Sequence, residues 1–212
     1  MDKIRVVIVE DDINFFKAMT TFINCQQDML IVGTATTKST AIELAKVIHF
    51  DVILMDINLN ENMCDGILAT VEILQFSSAK IIMLTSLKED EIVLDSFTAG
   101  AVNYISKEKY REIPDAIRAS YKNNSPIEVV LKKFSEYQRQ DQLKELTNTE
   151  KEVYELLEQG YTKNMIEKEM YKSQNTVKTQ VKKILRKLGV RSSKEAVDKV
   201  RTLGLRDKLG DR

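Results

Sequence analysis

Short apolar runs alternate with stretches in which apolar positions recur at helical spacing, and the alternation changes character near residue 122. The runs "IRVVIV" (4–9), "LIVGTA" (30–35), "VILM" (52–55), "KIIML" (80–84) and "NYIS" (103–106) have the length and composition of buried strands. Between and after them, Phe15–Ile23, Thr40–Val47, Ile67–Leu74, Glu91–Phe97 and Pro114–Tyr121 repeat their apolar positions with the period of a helix. Five strand-then-helix repeats predict a parallel sheet covered on both faces, a doubly wound (βα)5 domain over residues 1–122. Pro114 suits the first turn of the last helix, where its missing donor is not needed.

Past Tyr121 the breaker cluster "KNNSP" (122–126) leads into a polar stretch with a modest apolar stripe at Val130, Leu131 and Phe134. Residues 123–145 therefore read as a linker, partly helical. From 146 to 212 no strand-like run remains, and four helical segments are punctuated by Gly160, Tyr171–Ser173 and Gly189. Thr147 or Thr149 caps the first, which is apolar at Val153, Leu156 and Leu157. The second spans 163–170 with Ile166 inward, and the last runs from Ser193 to Leu203. The third, 175–188, sets Val177, Val181, Ile184, Leu185 and Leu188 against a basic face of Lys178, Lys182, Lys183, Arg186 and Lys187. A small all-α helix-turn-helix domain is expected.

A length of 212 residues is comfortable for two domains with a core each. No window approaches 18 uncharged apolar residues, and the chain opens directly on a strand-like segment, so the expectation is a cytoplasmic protein with no membrane partner. Cys25 and Cys64 lack metal-ligand spacing and read as reduced thiols. The zero net charge hides an asymmetry: residues 1–146 carry 16 Lys+Arg against 22 Asp+Glu, whereas residues 147–212 carry 16 against 10. An acidic front joined to a basic back is expected where one domain meets a polyanion.

In open parallel sheets chemistry collects at the carboxyl ends of the strands. Those ends present Glu10, Asp11 and Asp12 after the first strand, Asp56 after the third, Thr85 and Ser86 after the fourth, and Lys107 after the fifth. Buried charge needs partners, and here the partners are one another. Carboxylate oxygens suit Mg²⁺, a hard ion that keeps part of its hydration, while an ammonium and a hydroxyl can hold phosphoryl oxygens around an aspartate nucleophile.

Glu10-Asp11, Asp56, Thr85 and Lys107, in that order and at those strand ends, resemble the receiver domain of two-component response regulators over residues 3 to about 122. The resemblance implies that Asp56 is the phosphoacceptor and that Glu10, Asp11, Asp56 and the Asn58 backbone carbonyl hold Mg²⁺. It also implies that Thr85 and Lys107 meet the phosphoryl group and that Tyr104 is the switch aromatic. Asp12 is read as the cap of the first helix. Two departures stand out: the loop after Asp56 has no Pro and places Gly66 ten residues on, as though two residues were inserted, and Glu108 replaces the Pro that often follows the lysine.

The pattern "LT…E…V…LL..G.T…I" followed by "S.NTVK..V..IL.KL.V.S" resembles the four-helix DNA-binding domain of LuxR/NarL transcription factors over residues 146 to about 205. By that resemblance 175–188 is the recognition helix. Asn175, Thr176, Lys178, Thr179, Lys182 and Lys183 meet double-stranded DNA, Gln180 stands where many members have His, and the last helix pairs with a second copy. Haloacid-dehalogenase-like phosphatases also use an aspartate after a strand, but they need a second Asp two residues on, where this chain has Asn58. A bare interaction scaffold leaves the basic helix unexplained, and His49 reads as structural. The expectation is a phosphorylation-dependent transcriptional regulator, not an enzyme, partnered by a sensor histidine kinase and acting as a homodimer on DNA.

Overall fold

The computed structural model describes residues 2–59, 64–86, 89–122 and 126–209. Strands β1 (Ile4–Val9), β2 (Met29–Ala35), β3 (Val52–Asp56), β4 (Lys80–Thr85) and β5 (Asn103–Ser106) pair in the order β2-β1-β3-β4-β5, every pair parallel. The chain leaves β1 to one side for β2 and returns to the other side for β3, so the order reverses between β1 and β3. This is the crevice in which doubly wound sheets place their ligands.

Both faces of the sheet are buried, which is why its strands read as continuous apolar runs. Val6, Ile8, Val52, Leu54, Ile82, Leu84 and Ile105 form one core with Met19 and Ile23 of α1 (Ile13–Asn24) and with Ile113 and Ile117 of α5 (Ile113–Tyr121). Each such side chain stabilises the fold by about 1.5–3 kcal/mol relative to exposure. The alternate positions Val7, Val9, Ile53, Met55, Ile81 and Met83 are equally buried and point to the opposite side. That side carries α2 (Lys38–Val47) and α3 (Asp65–Ile73), and Thr70 of α3 reaches the Met83 sulfur at 4.0 Å. The remaining helix of the series is α4 (Asp90–Thr98).

Helix starts follow local chemistry. The Asp12 side chain accepts from the N–H groups of Asn14 and Phe15 at 2.8 and 3.1 Å, and Thr37 with Thr40 forms a capping box on α2. Arg118 of α5 binds Asp28 through two parallel bonds of 2.7 and 2.9 Å and also reaches Gln26 and Asp115, tying α5 to the turn before β2.

The chain divides into two compact units, one up to Ser135 that also takes in the segment from Lys208, and one from Glu136 to Asp207. The second contains the end of α6 (Pro126–Gln142), then α7 (Asn148–Glu158), α8 (Lys163–Glu169), α9 (Gln174–Leu188) and α10 (Ser193–Arg201). It begins ten residues ahead of 146 because late α6 contributes to its packing. Leu143 and Leu146 join a core of Val153, Tyr154, Leu157, Ile166, Val177, Val181, Ile184, Leu188, Ala196 and Val200. Arg139 forks onto the Glu158 carboxylate at 2.9 and 2.6 Å, beside the buried Tyr154. A short α11 (Leu205–Leu209) and a 3₁₀ turn over Lys107–Glu112 are additions to the expected elements. Among the described residues no helix is long and apolar enough to cross a membrane.

Candidate functional site

Asp56 is the last residue of β3 and pairs in register with Leu84, so its carboxylate emerges where the ladder ends. Glu10 follows β1 on the adjacent strand, with its backbone N–H bound to Ala35 O of β2 at 3.0 Å. Asp11 completes the group: the carboxylates of Glu10, Asp11 and Asp56 each offer an oxygen within 4.8 Å of the others. Lys107, at the end of β5, extends its Nζ to Glu10 Oε1 at 2.7 Å and to Asp56 Oδ2 at 2.9 Å. The switch point of the sheet thus gathers four of the residues expected there.

The electrostatics follow from burial. Glu10 and Asp56 are almost fully enclosed. Burial raises the Asp56 carboxyl against the opposing pull of Lys107. Burial, joined by the Asp56 charge and opposed by the Lys107 bond, pushes Glu10 up to about 7. For Lys107 burial works against the ammonium, but its bonds to Glu10 and Asp56 outweigh this and raise its pKa. Glu10 Oε2 is buried with no hydrogen-bond partner among the described residues, an orphaned acceptor inside a carboxylate cluster. Three carboxylates with one unsatisfied oxygen are the donor set of a hard divalent cation such as Mg²⁺.

A pH dependence follows. A carboxyl at about 7 in the folded chain and near 4.5 when unfolded holds its proton better when folded. In chelator, stability contributed by Glu10 therefore declines as pH rises from about 4.5 to 7 and is level above. A divalent cation held by these carboxylates would compete with that proton, so the rise in unfolding temperature on adding Mg²⁺ is expected to be larger at pH 8 than at pH 5.5. Thermal melts in chelator and in Mg²⁺ across that range check this; equal gains at both pH values would contradict it.

Asn58 donates its N–H to Asp56 Oδ1 at 3.4 Å, and its own Oδ1 accepts from Cys64 N at 3.2 Å, bridging the loop. Residues 60–63, within the stretch expected to hold two extra residues, lie outside the described residues. Downstream, Gly66 presses against the site. Its N–H donates to Ile57 O at 2.9 Å, and a Cβ built on it would stand 1.8 Å from the Asp56 backbone oxygen. Thr85 is buried at the end of β4 beside the half-buried Tyr104; burial raises the Tyr104 phenol and the neighbouring Thr85 hydroxyl holds it back.

In the second unit Ser173 caps α9 through the Thr176 N–H at 3.2 Å, and Gly189, in the left-handed region at φ 68°, ends it. Val177, Val181, Ile184 and Leu188 are buried, whereas Asn175, Thr176, Lys178, Thr179, Lys182 and Lys183 are exposed on the same helix. Lys187 leaves the expected basic face. Its Nζ binds Glu150 Oε2 at 2.6 Å, and that carboxylate also accepts the Thr147 N–H at 2.8 Å in the α7 capping box. Sequence reasoning missed Glu150 as the anchor of α9; the signal was the T-x-x-E spacing Thr147–Glu150. It also missed Phe15, whose ring lies over Lys107 Nζ.

Comparison with known proteins decides the family. The description "Response regulator receiver domain" matches residues 6–118, and "Bacterial regulatory proteins, luxR family" matches residues 144–200. The chain belongs to the response regulators, with a receiver domain followed by a LuxR-family regulatory domain. It is 36% identical over 201 residues to the transcriptional regulatory protein LiaR of Bacillus subtilis, covering 91% of this chain and 94% of LiaR. It is 34% identical to the response regulator VraR of Staphylococcus aureus, covering 92% and 94%. In fold it is similar to the RcsB response regulator of Salmonella typhimurium, with a TM-score of 0.53 at 22% identity over 93% of this chain and 98% of that one. This response regulator is a transcriptional regulator rather than an enzyme, and the phosphatase alternative falls away.

Proposed function

We propose that Asp56 accepts a phosphoryl group from a sensor histidine kinase and that the modified chain binds double-stranded DNA as a homodimer. The observation that carries this reading is the convergence of Glu10, Asp11 and Asp56 at the β1/β3 switch point with Lys107 Nζ 2.9 Å from Asp56. An Asp56 oxygen attacks phosphorus, the bond to the donor's leaving group breaks, and that group departs with the electron pair. Lys107 faces the charge on the transferring oxygens in a pocket that excludes most water. Glu10, Asp11, Asp56 and the Asn58 carbonyl are the residues that would hold Mg²⁺, which when bound supplies positive charge against those same oxygens.

The switch reading rests on the Thr85 hydroxyl standing beside the Tyr104 phenol. A Thr85 hydroxyl that turns to a phosphoryl oxygen gives up its present geometry with Tyr104, and the ring moves into the space released, giving two discrete packings. On the output side the exposed lysines of α9 enter the major groove while its apolar face stays on the core. The absence of a spanning helix among the described residues is consistent with a cytoplasmic site of action.

Intact-mass measurement after acetyl phosphate and Mg²⁺ tests the reading. Wild type and Thr85→Ala are expected to gain one phosphoryl group and Asp56→Asn none. An unchanged phosphorylated fraction in Asp56→Asn would remove Asp56 from the role.

A further inference from the structure

Lys107 is held from three sides. Its Nζ lies 2.7 Å from Glu10 Oε1, 2.9 Å from Asp56 Oδ2 and 4.9 Å from the centroid of the Phe15 ring. Two of these contacts come from carboxylates expected at such a site. The third comes from the first turn of α1, and nothing in the expected chemistry asks for an aromatic there.

The ring is itself well placed. The Phe15 backbone N–H is fixed by the Asp12 side chain at 3.1 Å, so the turn that supplies Glu10 and Asp11 also sets the aromatic. Phe15 is half-buried against the core that includes Met19, Ile23 and Ile113. The Lys107 side chain keeps only 16% of its exposure, so its ammonium has exchanged much of its hydration for two carboxylates and a π face. An aromatic face attracts a cation through its quadrupole, more strongly as water is removed. The ammonium is a point charge on a flexible four-carbon stem, so a contact that fixes its position limits where it can go.

We propose that Phe15 is a positioning residue for phosphoryl transfer to Asp56, holding the Lys107 ammonium over the reacting carboxylate by a cation–π contact. The inference rests on Asp56 being the phosphoacceptor. During transfer the Lys107 bonds to Glu10 and Asp56 must yield to a phosphoryl oxygen. Through that exchange the ring is the contact that stays constant, keeping the ammonium from swinging to solvent. Preorganised charge at the reacting atoms is worth far more than charge that must be recruited.

The experiment separates shape from electronics. In the full chain Phe15 is replaced by 4-fluoro-, 3,5-difluoro- and 3,4,5-trifluorophenylalanine, which keep the ring and progressively drain its negative face. The rate of phosphorylation by acetyl phosphate in Mg²⁺ is followed by intact mass. The expected result is a stepwise fall reaching about three- to tenfold at the trifluoro ring, with unfolding temperatures unchanged. Phe15→Leu is expected to fall as far, and Phe15→Tyr to keep the wild-type rate. A flat fluorinated series, or a Phe15→Leu chain that reacts at the wild-type rate, overturns the assignment. If Phe15→Leu does not fold, the fluorinated series decides alone. Asp56→Asn run in parallel keeps the two readings apart. A variant that takes up phosphate like wild type overturns Asp56 as acceptor, and this inference with it, whereas an inert variant with a flat series overturns Phe15 alone.

Discussion

Alanine at Gly66 is expected to cost the chain stability and phosphorylation together. The added Cβ would lie 1.8 Å from the Asp56 carbonyl oxygen, 2.9 Å from its carbon and 3.0 Å from Ile57 Cα, and all three are backbone atoms with no rotamer to escape through. Either α3 moves away from the sheet or the end of β3 shifts, and the second displaces Asp56 from Lys107. Overpacking of this kind costs about 1–3 kcal/mol. Because the strain falls on the reacting residue, the phosphorylation rate should drop more than a surface variant of equal instability would show. Thermal unfolding and acetyl-phosphate kinetics on Gly66→Ala measure both effects. A variant with wild-type stability and rate would mean that the close approach is relieved elsewhere.

On the second unit the largest expected effect is on DNA affinity. Lys178 and Lys182 stand one turn apart on the exposed side of α9, and Lys178 Nζ is already steadied by Gln174 Oε1 at 3.1 Å. Lys182→Ala is expected to lose about 1–3 kcal/mol of binding with relaxed preference at one base if it reads an edge, or to weaken all sequences alike and lower the salt slope by about one if it touches phosphate. Lys187→Ala is the internal control. Its ammonium is committed to Glu150, so the salt slope should not change, while the loss of the pair loosens the α7–α9 packing. Two half-sites about one helical turn apart, roughly 10 bp centre to centre, are expected for a symmetric dimer. Affinities measured against salt for wild type and the two variants distinguish these outcomes. A Lys187→Ala slope reduced as much as that of Lys182→Ala would place Lys187 on the DNA face after all.

The strands were readable because both faces of the sheet are buried, so each one appears as an unbroken apolar run. β3 and β4 each run one residue further than the apolar run, to Asp56 and Thr85, polar residues of the candidate site that end the apolar signal one position early. The 3₁₀ turn Lys107–Glu112 has no buried side chain and so left no apolar period to read. Linker order was underestimated for a similar reason. Late α6 is held by the Arg139–Glu158 fork, and Leu143 and Leu146 just past its end sit in the core, contacts that hydropathy alone does not reveal. Within the candidate site the charged residues were legible from their strand ends. Phe15 and Glu150 were not, because each acts on a lysine far away in sequence, Lys107 and Lys187.

That phosphorylation of Asp56 governs DNA binding is tested most directly by titrating the full chain onto a duplex that the chain itself has selected from a random pool. Wild type and Asp56→Asn are compared before and after treatment with acetyl phosphate and Mg²⁺. Tighter binding after treatment is expected in wild type alone, with Asp56→Asn fixed at the untreated affinity. Equal affinity in all four samples, or an equal gain in Asp56→Asn, would contradict the coupling of the acidic site to the basic helix.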